Sequence, residues 1–72
     1  MAYNGWKNRS TWNIALWIGN DETLYRMARN MTGNYKSFAE NMTGSTPDGI
    51  AWDSPHLDHV ALDEMLVELR AD

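Results

Sequence analysis

The chain has 72 residues, with six Lys and Arg, ten Asp and Glu, two His, no Cys, four Trp, three Tyr, one Phe and five Met. A length in that range makes a single domain, residues 1–72, with a small core that removes only about 60% of the unfolded surface from water. Without Cys there are no disulfides and no thiolate metal sites, and no apolar run reaches the length of a membrane span.

Residues 2–7 read as an arm with Tyr3 and Trp6 as anchors and Asn4-Gly5 as a turn signal. Met1-Ala2-Tyr3-Asn4-Gly5 has neither the basic nor the apolar region of a signal peptide, so a soluble, cytoplasmic protein is expected. The stretch from Trp6 to Asp21 packs three of the four Trp and carries a helix over 10–19. Ser10 or Thr11 is its expected cap, Gly19 its left-handed stop, and Ile14 to Ile18 is apolar on every side.

Asn20 is the expected cap of a helix over 21–31, with Asp21 and Glu22 in its first turn. Thr32-Gly33-Asn34 then ends it and starts another over 35–43. A single continuous helix competes with this reading, because Leu24, Ala28, Met31, Tyr35, Phe38 and Met42 keep helical spacing across Gly33. Gly, Thr and Asn inside one helix would cost about 2 kcal/mol, which favours two. Asn-Met-Thr-Gly occurs at 30–33 and again at 41–44, as two similar helix endings.

Residues 44–57 lack helical periodicity. Pro47-Asp48-Gly49 is a turn, and Ile50 and Trp52 alternate with Ala51 and Asp53 as a short extended segment. The last helix, over 58–70, starts on Asp58 as cap, with Leu57 and Leu62 spaced as a hydrophobic staple. Asp58→Ala is expected to lose about 1 kcal/mol and Asp63→Ala much less. Ala61, Leu62, Met65, Leu66 and Leu69 form the buried stripe, leaving Asp63, Glu64, Glu68 and Arg70 toward solvent. The fold class is all-α, a small bundle of about four short helices. Its expected core contains Trp12, Leu16, Leu24, Ala28, Phe38, Leu62, Met65 and Leu69.

The charge is uneven. Residues 1–36 hold Lys7, Arg9, Arg26, Arg29 and Lys36 against Asp21 and Glu22, whereas residues 37–72 hold eight acids against Arg70 alone. Such a half repels phosphate and attracts basic proteins, including those whose grooves bind nucleic acid.

The pattern Trp6-x-Asn8-Arg9-x-Thr11-Trp12-Asn13-x-Ala15-Leu16-Trp17-Ile18-x-Asn20-Asp21, followed by Tyr25, then Thr46-Pro47-Asp48-Gly49 and Leu62-Asp63-Glu64-Met65-Leu66, resembles a family of small, functionally uncharacterised bacteriophage and prophage proteins. The resemblance implies a phage origin and action inside the bacterial host, and carries over no catalytic residue.

Catalytic sets are thin. His56 and His59 with Asp53, Asp58 and Asp63 sketch a metal site, but no third ligand has motif spacing. No Ser stands in a nucleophile setting and no glycine loop would cradle phosphate, so the expectation is a non-enzymatic protein without metal or cofactor. Three functions fit. In the first, the chain binds and inhibits a host protein with a basic surface. Asp53, Asp63, Glu64, Glu68 and Asp72 form an acidic face that mimics DNA in the groove of a topoisomerase or gyrase, polymerase or nuclease, with Trp6 and Trp52 as aromatic anchors. In the second, Lys7, Arg9, Arg26, Arg29 and Lys36 bind nucleic acid directly, against the net charge of −4. In the third, the chain is a homo-oligomeric assembly protein.

Overall fold

Four helices follow one another in the computed structural model, which describes residues 5–71. They are α1 (Arg9–Asn20), α2 (Glu22–Asn30), α3 (Tyr35–Glu40) and α4 (His59–Arg70), the all-α arrangement expected. The expected anchor Tyr3 and the acidic residue Asp72 lie outside the described residues.

The start of α1 differs from the expectation. Asn8, with extended backbone, is the cap, and its side chain accepts from the Thr11 N–H at 2.9 Å. Ser10 and Thr11 are already inside the helix. Thr11 is fully buried and its hydroxyl accepts from the Asp58 N–H, 47 residues away, at 2.9 Å. Gly19 does not close α1 either, since it lies within the helix and has no positive φ.

Asp21, not Asn20, serves both sides of the α1–α2 junction. Its N–H donates to the Trp17 carbonyl at 2.9 Å, and its carboxylate accepts from the Leu24 N–H at 3.0 Å. One extended residue therefore ends α1 and caps α2, which leaves no need for a left-handed glycine. A Cβ built on Gly19 meets nothing within 4 Å. Gly19→Ala should stabilise the protein by about 0.5–1 kcal/mol through helix propensity alone. A melting temperature at or below the parent's would contradict that ordinary helical position.

Two helices, α2 and α3, occupy the stretch in which one was the alternative. Gly33 has φ +97, and a Cβ there would lie 3.2 Å from Ser37, so the chain turns at a position suited to glycine. Asn34 then caps α3 through the Ser37 N–H at 3.0 Å. Gly44, in the second Asn-Met-Thr-Gly, also has positive φ. The helix stops at Glu40, short of the expected residue 43, because Asn41 and Met42 donate to the Phe38 and Ala39 carbonyls in a tightened last turn.

Residues 44–52 form a narrow ribbon. Ser45 and Ala51 make an antiparallel bridge, and the Thr46 N–H donates to the Ile50 carbonyl at 2.8 Å. The Gly49 N–H closes the expected turn onto the Thr46 carbonyl at 2.8 Å. Asp58 caps α4 as expected, accepting from the Ala61 N–H at 3.2 Å, while Leu57 and Leu62 on either side of it are buried.

The core collects Ile14, Ala15 and Ile18 of α1, Ala28 of α2, Tyr35, Phe38 and Ala39 of α3, Leu62 and Leu66 of α4, and Trp52 and Leu57 from the intervening segment. Ala28, Phe38 and Leu62 were expected there. Leu24, Met65 and Leu69 are only half-buried and pack at its edge. Trp12 and Leu16 need a larger correction: Leu16 is exposed and Trp12 half-buried, because α1 turns its Thr11, Ile14, Ala15 and Ile18 stripe inward. Periodicity could not choose that face on a helix apolar nearly all round.

Candidate partner-binding face

Four of the acidic residues, Asp21, Asp48, Asp58 and Asp63, are committed to the fold. Asp21 and Asp58 cap helices, and Asp48 ties the ribbon to α1. Asp48 Oδ2 accepts from Asn13 Nδ2 at 2.8 Å and from Trp17 Nε1 at 2.9 Å, while Asn13 Oδ1 accepts from the Thr46 hydroxyl at 2.8 Å. The Asn13 and Trp17 hydrogen bonds hold the Asp48 carboxyl below the usual carboxylate range, with Arg9 adding to the effect and desolvation opposing it.

Asp63 does not simply face solvent. It is half-buried, and its Oδ1 accepts from the Tyr35 N–H, the first of α3, at 2.7 Å. A six-residue helix cannot hold itself, so this carboxylate and Asn34 together supply the acceptors its start requires. Arg70 is likewise turned inward: Nε donates to the Ala28 carbonyl at 2.8 Å and Nη1 to the Gly33 carbonyl at 2.6 Å. From α4, an acid thus holds the start of α3 and a base the end of α2, each with the sign that its helix end favours. The hydrogen bond from Tyr35 to Asp63 removes the ground for expecting a smaller effect at Asp63 than at Asp58. Asp63→Ala should lose about 1–2 kcal/mol, at least as much as Asp58→Ala. Urea midpoints of the two variants measure this, and a silent Asp63→Ala would contradict the clip.

Glu64 and Glu68, by contrast, are exposed and carry no hydrogen bond or ion pair among the described residues. They share the outer face of α4 with Val60 and Val67, 69% and 65% exposed. Sequence reading passed over both valines. Their seven-residue spacing, off the buried stripe, was the available signal. Beside the glutamates runs a groove of about 320 Å³ lined by Gly5, Trp6, Ala61, Glu64, Met65 and Glu68. Trp6 is half-buried along this groove, so that expected anchor does border the acidic pair.

The remaining expected site residues lie elsewhere. Trp52 is only 4% exposed, edge-on to Phe38, and its carbonyl accepts from the Tyr35 hydroxyl at 2.6 Å. It is a core residue and not a surface anchor. Burial, with Asp53 nearby, pushes the Tyr35 phenol well above its ordinary value. Asp53 lines a different groove, of about 430 Å³, with Lys36, Ala39, Glu40, Met42 and His59.

Arg26 and Arg29 line one groove on α2 with Glu22, Tyr25 and Asn30. Arg26 pairs with Glu22, Arg29 lies over the Tyr25 ring at 5.9 Å, and Lys36, in α3, lines the groove that holds Asp53. Among the described residues, no three His, Asp or Glu side chains are placed to hold a metal ion.

The profile of a family of unknown function, DUF7249, matches residues 1–72. The chain belongs to this family. No curated protein and no solved structure matches it. In this DUF7249 protein, the residues that carry the tryptophan pattern are largely structural. Asn8 caps α1 and donates from Nδ2 to the His56 carbonyl at 2.7 Å, Thr11 receives the Asp58 N–H, and Asn13 and Trp17 dock the Pro47-Asp48-Gly49 turn. No helix among the described residues is long and apolar enough to cross a membrane.

Proposed function

We propose that this is a non-enzymatic, phage-type protein of the bacterial cytoplasm that binds and modulates a host protein with a basic surface, through the outer face of α4. The observation that carries the reading is the pairing of Glu64 and Glu68, uncommitted to the fold, with the exposed Val60 and Val67 on one helix face. Apolar contact supplies area and the carboxylates supply steering and register, as in protein interfaces generally. Mimicry of DNA rests here on the glutamate pair, since Asp58 and Asp63 hold helix starts. The direct nucleic-acid reading has less support, because Arg26 is already paired with Glu22 and Arg29 lies over the Tyr25 ring.

Affinity capture from bacterial lysate, with and without nuclease, tests this with the parent and a Glu64→Lys, Glu68→Lys variant. A nucleic-acid-binding enzyme captured by the parent alone and displaced by duplex DNA is the expected result. Equal capture by the charge-reversed variant would overturn the α4 assignment. Nuclease-sensitive capture would point instead to direct nucleic-acid binding, and a dimer in light scattering without capture to an assembly role.

A further inference from the structure

We infer that the groove between the Gly5-Trp6 segment and α4 is a slot for an arginine side chain of the partner. This rests on the partner-binding reading and specifies the chemistry of its contact. Three features converge in the groove: the half-buried indole of Trp6, the exposed carboxylates of Glu64 and Glu68 one helical turn apart, and a floor of Ala61 and Met65. An anion is repelled by the two carboxylates, and a neutral apolar group would strip them of water without replacing it. A cation answers both.

The lining also separates one cation from another. A guanidinium is planar, so it stacks on an indole while its edge N–H groups donate to carboxylates in its own plane. Its three-methylene stem covers an apolar floor such as Ala61 and Met65. A lysine ammonium is a compact, strongly hydrated charge that gains less from stacking, and a quaternary ammonium has no N–H for Glu64 or Glu68. The groove beside α3 is a poorer cation site, because Lys36 already lines it. On α2 the cations Arg26 and Arg29 already have Glu22 and Tyr25 beside them. Glu64 and Glu68 have no such internal cation among the described residues.

The test is an amide and indole NMR titration of the full chain with the peptide acetyl-Gly-Arg-Gly-amide. Its lysine and citrulline counterparts serve as controls, citrulline being the uncharged isostere of arginine. Saturable shifts are expected at the Trp6 indole N–H and at the Ala61, Glu64, Met65 and Glu68 amides. The lysine peptide should bind about threefold or more weakly, and the citrulline peptide should not saturate. A Glu64→Gln, Glu68→Gln variant, altered only at exposed positions, should weaken binding by about tenfold. Trp6→Leu should weaken it as well, with the unshifted core amides reporting that the variant is folded. Equal binding of the three peptides, no loss in the Gln variant, or shifts confined to another face would each overturn the slot. A partner captured through α4 with a flat titration would remove the slot and leave the binding reading standing. A saturating groove without any captured partner would do the reverse.

Discussion

Replacing Leu66 with alanine should remove about 2–5 kcal/mol of stability. Leu66 is 1% exposed and lies in the same core cluster as Leu62, Phe38 and Ile14, so the lost methyl groups leave a cavity that rigid helices cannot collapse to fill. Domains of ordinary size are stable by only about 5–15 kcal/mol, and one of 72 residues belongs near the lower end. A large share of the molecules should therefore be unfolded well below the parent's melting temperature. The adjacent Val67 is the internal control: it is 65% exposed, and Val67→Ala should change stability by no more than about 0.5 kcal/mol. Chemical denaturation followed by far-UV circular dichroism measures both. Similar midpoints for the two variants would mean that α4 packs in another rotation. Leu69→Ala should fall between them, since Leu69 is only half-buried.

Asn13→Ala should cost about 2–3 kcal/mol, the second largest effect. Asn13 is 1% exposed and joins α1 to the 46–49 turn, donating to Asp48 and accepting from the Thr46 hydroxyl. Without it the Thr46 hydroxyl loses its acceptor in a buried site, and the turn keeps the hydrogen bond from Trp17 to Asp48. The Trp17 indole N–H should shift in NMR spectra as the turn loosens, while the Arg26 and Arg29 amides of α2 stay in place. A variant as stable as the parent would show that the ribbon docks by apolar contact alone.

The same network sets a pH dependence. The Asp48 carboxyl titrates lower in the folded protein than in the unfolded chain. Its contribution is therefore present above the unfolded carboxylate value of about 3.9 and is lost as pH falls through the folded value. The parent should lose stability on acidification below about pH 4 more steeply than Asp48→Asn, which lacks that titration. Parallel profiles for the two proteins would contradict the assignment.

How much of this was legible depended on how far apart the interacting groups lie. The Asp58 cap and its Leu57–Leu62 staple, the Asn34 cap and the turn at Pro47-Asp48-Gly49 all have their partners within a few residues. Each was readable because local spacing is itself the geometry. The division at Gly33 was only favoured over one continuous helix, and φ +97 at the residue that accepts it readily decides it. On the outer face of α4, Glu64 and Glu68 are legible by their four-residue spacing off the buried stripe. Val60 and Val67, seven residues apart, carry the same signal of a position off the buried stripe.

The sequence by itself determined an all-α chain, the approximate position of its four helices and the exposure of the Glu64–Glu68 pair. Local propensity, capping and periodicity act over one or two turns, and these features need nothing more. Only the tertiary structure decided which face of α1 is buried, because a helix apolar nearly all round offers no periodic signal, and contacts such as Thr11 with Asp58 supply its rotation. It also decided which charges are free. Asp48 meets Asn13 across 35 residues, Asp63 meets Tyr35 across 28, and Arg70 meets Ala28 across 42. A count of charge along the chain cannot distinguish a carboxylate that holds a distant backbone N–H from one that waits for a partner, because the two differ only in what folding brings within about 3 Å of them.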